Sequence, residues 1–162
     1  MQLGAVQTAL TAWVQTYLGL EPDWEFAKEA GYWRQDPRCL LNLTASSSVH
    51  HDEPIWVYDD LLDENVPFMT GIRNITLTVT VQSDDQNEQF AARQYLERFR
   101  TRIQSPSSIS VLTAANLAFV EALPTVNLDF RMDDRRVSQT SMDVLFQLRS
   151  TEEDTVFAGD YI

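Results

Sequence analysis

Arg73-Asn74-Ile75-Thr76-Leu77-Thr78-Val79-Thr80-Val81-Gln82 is the stretch whose reading decides the fold class. Ile75, Leu77, Val79 and Val81 alternate strictly with Asn74, Thr76, Thr78 and Thr80. Successive side chains on a strand point to opposite faces, so this pattern predicts a strand with one apolar and one polar face. A sheet that presents a polar face needs a layer on only one side, as antiparallel sheets do.

Downstream, the polar segment Ser83 to Asn87 carries Asp84 and Asp85 and is expected to cap the helix that follows. In that helix Ala92, Leu96, Phe99 and Ile103 fall on one edge, Arg93, Glu97 and Arg100 on the other, and Pro106 is read as its stop. Ser107 to Ala115 reads as a short helical turn. Two alternating stretches come next, Val126-Leu128-Phe130 and Met142-Val144-Phe146-Leu148. Asp133 and Asp134 lie in the connection between them, which looks too long and too charged for a tight turn and predicts a long protruding hairpin or loop.

Upstream, Cys39, Leu41 and Leu43 share one face of a strand over Arg38 to Thr44, and Ile55 to Tyr58 reads as another. Between them lies a Ser- and His-rich loop, Ala45 to Glu53, and residues 45–67 as a whole read as a loop insertion in a single domain spanning 1–162. Trp24, Phe26, Tyr32 and Trp33 crowd between Pro22 and Pro37, which points to a short helix or an aromatic-anchored loop. At the start, Leu3, Val6, Leu10, Trp13, Val14 and Tyr17 form the stripe of an amphipathic helix that ends near Gly19. The element order gives an α+β fold: a mostly antiparallel β-sheet with an N-terminal helix and a central helix packed on one face.

Composition narrows the function classes. The chain has 162 residues, 44% hydrophobic and 22% charged, which is globular. No apolar run is long enough to span a bilayer, and the Leu3 to Leu20 stretch lacks a basic leading segment, so neither membrane insertion nor secretion is expected. With Cys39 as the only cysteine no internal disulfide can form, and the sequons at Asn42 and Asn74 carry no meaning without secretion. A net charge of −12 argues against a protein that grips nucleic-acid phosphates. Lys28 is the only lysine, so the positive charge is almost all Arg, a residue suited to fixed interface contacts.

The common catalytic signatures are missing: there is no glycine-rich phosphate loop, no G-x-S-x-G elbow, no Cys-x-x-Cys and no H-E-x-x-H. No enzyme activity and no cofactor are therefore expected. His50-His51-Asp52-Glu53 offers metal-ligand types, but neighbours in an extended segment point apart and no third His exists, so the segment reads as a solvated loop. Asp59, Asp60, Asp63 and Glu64 miss the calcium-loop pattern because Leu61 and Leu62 occupy ligand positions. Arg98, Arg100 and Arg102 spread around a helix as a solvated face. Cys39 reads as a small core residue.

The stretch from Arg73 to Ile162 resembles the neck or tail-terminator proteins of tailed bacteriophages. The resemblance is carried by Arg73 to Val81, by Ala92 to Ile103 with Pro106, by Val126 to Phe130 and Ser141 to Leu148, by the acidic Glu152-Glu153-Asp154 and by Val156 to Ile162. Asp36-Pro37-Arg38 is similar to the family's lead into its first strand, while the region from His50 to Pro67 departs from it. The resemblance implies a virion protein, made in the host cytoplasm, that forms a hexameric ring. Such a ring caps the tail tube and joins it to the head-completion or connector proteins, and genomic DNA passes through its lumen without specific binding.

Alternatives are a head-completion or stopper ring, a tail-tube subunit, a metal-dependent enzyme using residues 50–64, and a solitary adaptor with an exposed apolar patch. Partner contacts are expected on Trp56, Tyr58, Asp59 and Asp60 of the insertion and on Arg135 and Arg136 of the charged connection, because protruding loops with aromatic or Arg anchors collect such contacts.

Overall fold

A computed structural model of the chain describes residues 3–25, 36–49, 51–85 and 87–153. The chain runs α1 (Leu3–Leu18), β1 (Pro22–Trp24), β2 (Arg38–Ser48), β3 (Glu53–Asp59), β4 (Glu64–Ser83), α2 (Ala91–Arg102), α3 (Pro106–Ala114), β5 (Leu117–Ala122), β6 (Val126–Asn127), β7 (Phe130–Met132) and β8 (Arg135–Glu153). The fold is α+β, as the patterning predicts, with a largely antiparallel sheet in the order β1-β2-β4-β8-β5. Among the described strands β1 runs parallel to its neighbour, β2, and the other pairings are antiparallel.

The sheet is built around two long strands. β4 and β8 pair without interruption from Phe68↔Glu153 to Ser83↔Ser138. On this ladder Ile75, Leu77 and Val79 stand opposite Phe146, Val144 and Met142, all buried. The helices lie on that apolar face. Trp13 of α1 makes edge-on ring contacts with Phe99 of α2, centroids 5.2 Å apart, and with Phe146 of β8, 5.6 Å apart. Its indole Nε1–H donates to Ser108 Oγ of α3 at 2.7 Å, so one buried side chain ties three helices to the sheet. Full burial of each such side chain stabilises by about 1.5–3 kcal/mol.

The opposite face of the sheet is polar and half-buried, and its side chains bond across strands. Thr78 Oγ1 donates to Asp143 Oδ1 at 2.7 Å, Gln82 Nε2 donates to Gln139 Oε1 at 2.6 Å, and the hydroxyls of Thr80 and Ser141 lie 3.2 Å apart.

Several expectations are corrected. The expected strand over Ile55 to Tyr58 is present within β3 (Glu53–Asp59), but the rest of 45–67 is not simply a loop: β2 continues to Ser48, and β4 begins at Glu64, nine residues before Arg73. β5 has no counterpart among the expected strands. The expected strand through Val126, Leu128 and Phe130 is split into β6 and β7, and Val126 and Leu128 are exposed. The connection expected to be too long for a tight turn is a two-residue turn: Met132 pairs with Arg135, and Asp133 and Asp134 both take positive φ, 47° and 63°. That backbone suits the twist of the flanking strands, and Asp tolerates it better than most residues do.

Pro106 does not merely end α2; it stands at the start of α3, whose N-cap Ser105 accepts a bond from the Ser108 N–H at 3.3 Å. The cap of α2 is Phe90 without a side-chain bond, while Asp85 Oδ1 instead accepts from the Asn87 N–H at 2.9 Å. Of the crowded aromatics, Phe26, Tyr32 and Trp33 lie outside the described residues, and Trp24 bonds through its Nε1–H to Thr11 Oγ1 at 2.9 Å.

Candidate functional site

β2 and β3 lie end to end along one side of β4. β2 pairs with β4 from Arg38↔Gln82 to Ser48↔Arg73, and β3 continues from Glu53↔Thr70 to Asp59↔Glu64. The chain is thus one long broken hairpin whose outer half, 53–70, projects as an arm. Among the described residues β8 accompanies β4 as far as Phe68↔Glu153, and β3 and β4 pair on beyond it to Asp59↔Glu64. Both prolines of the arm fit this geometry. Pro54 lies on β3, which pairs only with β4 among the described residues, and Pro67 lies where β4 has no β8 partner among them, positions where proline removes no ladder hydrogen bond between described central strands.

The arm ends in the four residues 60–63. Asp59 Oδ1 accepts from the Leu61 and Leu62 N–H groups at 2.8 and 3.4 Å, Tyr58 Oη donates to Asp63 Oδ1, and Asp63 takes a positive φ of 54°. The carboxylate beside Tyr58 favours its protonated form and raises the phenol above its ordinary range. The acidic cluster therefore shapes the turn. With the backbone so fixed, Leu61 is 95% exposed, Leu62 61% and Trp56 62%.

The break between β2 and β3 carries the His-rich segment. Asp52 there receives two bonds from the Arg73 guanidinium, one to Oδ1 at 2.6 Å and one to Oδ2, and Arg73 Nη1 also donates to Ser48 Oγ at 2.9 Å. The hydrogen bonds from Arg73, followed by its charge, hold the Asp52 carboxyl below the usual range. The pair lies directly over Gly71: a Cβ at that position would collide with the Asp52 carboxylate and stand 2.9 Å from Arg73 Nη1. Asp52 is thus committed to an ion pair with Arg73, His50 lies outside the described residues, and no group of three or more His, Cys, Asp or Glu suited to a metal occurs among the described residues.

The six residues expected at partner contacts do not come together. Trp56, Tyr58, Asp59 and Asp60 belong to the arm, whereas Arg135 and Arg136 open β8 beyond Ser138↔Ser83, at the other end of β4. At ~3.3 Å per strand residue the two groups are roughly 60 Å apart. At the second end Arg136 Nη2 donates to Asp129 Oδ2 at 2.7 Å, and Arg135 stands 3.9 Å from Asp84. Asp84 in turn donates its backbone N–H to Asp36 Oδ1 at 3.0 Å; burial first, and then the Asp84 side chain, raise the Asp36 carboxyl against the lowering effect of that backbone bond. Arg136 is therefore spent within its own hairpin.

Leu61 and Leu62, absent from the expected contacts, are the most exposed apolar groups of the arm together with Trp56; the signal in the sequence is two leucines inside an acidic turn. Cys39 is buried, and burial, reinforced by the charge of Asp23, pushes its thiol up to about 12, so it is inert at neutral pH. Arg102 is not simply solvated: its Nη1 donates to the Tyr17 carbonyl at the end of α1 at 3.3 Å.

No family model and no curated protein matches this sequence.

Proposed function

We propose that the chain is a structural subunit of a tailed-phage particle that assembles into a ring, of about six copies, at the junction of tail tube and head. The observation that carries the reading is the arm: a hairpin that leaves the core and ends in exposed Leu61, Leu62 and Trp56. Apolar side chains held exposed at its tip gain free energy only against another surface. The resemblance of Arg73 to Ile162 to tail-terminator proteins supplies the place of assembly. A small acidic subunit also suits a channel for DNA, since carboxylates lining the lumen would repel phosphates and let the genome pass. This last point fails if the acidic side chains prove to line the outside of the ring.

The test is light scattering after size exclusion with negative-stain imaging, alone and with purified tail tubes. Closed rings, or rings formed on tube ends, are expected. Long open tubes would reassign the chain to the tube itself, and a monomer that neither self-assembles nor binds tubes would overturn the reading.

A further inference from the structure

We propose that the tip of the arm, Leu61 and Leu62, docks into an open cavity at the root of the arm on a second copy of this chain, linking successive subunits head to tail. The proposal rests on the ring reading and specifies its contact. The cavity, about 600 Å³, opens where the sheet runs past the helical layer, between β4, the end of α3, β5 and β8. Exposed Ile72 and Ala118 supply most of its apolar surface; Leu117 and Leu148, which also line it, are buried. Its volume falls within the range of roughly 300–1,000 Å³ found for sites that enclose a whole ligand, so it has room for more than one side chain.

Two observations favour a second copy as the occupant. The first is reach: the tip stands beyond Glu64 and the cavity begins at Thr70 to Ile72, so about 20 Å of paired strand, at ~3.3 Å per residue, separates them. An arm cannot enter its own cavity without breaking the ladder from Glu53↔Thr70 to Asp59↔Glu64. The second is charge. The tip carries Asp59, Asp60, Asp63 and Glu64, and the cavity rim carries Arg149, whose Nε donates to Thr70 Oγ1 at 3.2 Å and which pairs with no carboxylate among the described residues. Glu53 borders the cavity too, so the complementarity rests on Arg149. Because tip and cavity are different surfaces, their contact between two copies would be heterologous, and such contacts close into rings when the rotation allows.

The experiment uses the full chain in two forms. In the first, a Leu61→Asp/Leu62→Asp variant is compared with the native chain by light scattering, with a thermal melt to confirm folding. In the second, a Leu61→Cys chain is mixed with an Ala118→Cys chain under mild oxidation; the buried Cys39 stays out of the exchange. The expected result is loss of the ring in the double-Asp variant with Tm within a few degrees of the native chain, and a disulfide that joins position 61 of one chain to position 118 of the other. Native rings that persist in the double-Asp variant, or disulfides that link two chains through position 61 on both, would overturn the docking while leaving the ring reading in place. A native chain that forms no ring at any concentration or on tail tubes would overturn both.

Discussion

Gly71 shows how one missing side chain sets up a charged group. The Asp52 carboxylate occupies the space a Cβ would need, which is what lets it bond Arg73 through both oxygens. Because its folded pKa is depressed, Asp52 contributes stability that is fully present above its ordinary carboxylate pKa and is lost as pH falls through the lower folded value. The Asp52→Asn variant is expected to show a shallower loss of stability below about pH 4, measured by denaturant melts at stepped pH. In Gly71→Ala the carboxylate has to swing away, so NMR titration should find it nearer the ordinary range. In the core the same scale yields a larger effect. Ser108 accepts the indole N–H of Trp13 where both are buried, so Ser108→Ala strands a donor and is expected to cost about 1–3 kcal/mol in chemical denaturation, against a negligible change if water replaced the hydroxyl.

Elements that face the core are legible in the sequence, and elements that do not are hidden. Ile75 to Val81, Met142 to Leu148 and Ala92 to Ile103 each present a buried side and a polar side, and that contrast is the periodicity a sequence reveals. β3 is legible only in part: Ile55 to Tyr58 reads as a strand, but Trp56, Val57 and Tyr58 are all exposed, so no alternation marks how far it extends or that it pairs with the first half of β4. The same reason hides the tip, because Leu61 and Leu62 look like errors in a calcium loop until the hairpin around them is known. The β7–β8 turn escapes the patterning because Asp133-Asp134 is not the usual Asn-Gly or Asp-Gly pair. Its left-handed backbone costs a residue with a Cβ about 1–2 kcal/mol, partly relieved in Asp. Asp134→Gly should therefore stabilise the chain by about 0.5–1 kcal/mol, read as a rise of about 1–4 °C in Tm for a domain of this size. An unchanged or lower Tm would show that the Asp134 side chain supports the turn.

For the whole molecule the dominant physical fact is the charge of −12, which a ring multiplies by its number of subunits. Two electrostatic effects then oppose each other in assembly. In the proposed contact the acidic tip would meet Arg149 as exposed groups, a pairing worth about 0–1 kcal/mol each and weakened by salt. Repulsion between whole subunits acts over the spacing of their centres, about 30–40 Å for a domain with a radius of gyration near 15 Å. At about 0.01 M ionic strength the Debye length is about 30 Å and a substantial part of this repulsion survives; at about 0.15 M the length is about 8 Å and almost none of it remains. The apolar part of the contact is not weakened by screening. Moderate salt should therefore favour the ring: sedimentation velocity at fixed protein concentration is expected to show subunits dissociating near ~0.01 M and assembling near ~0.3 M sodium chloride. The opposite trend would mean that the tip is held mainly by its carboxylates on Arg149 and that Leu61 and Leu62 contribute little, and the double-Asp variant would then assemble better than the native chain at low salt.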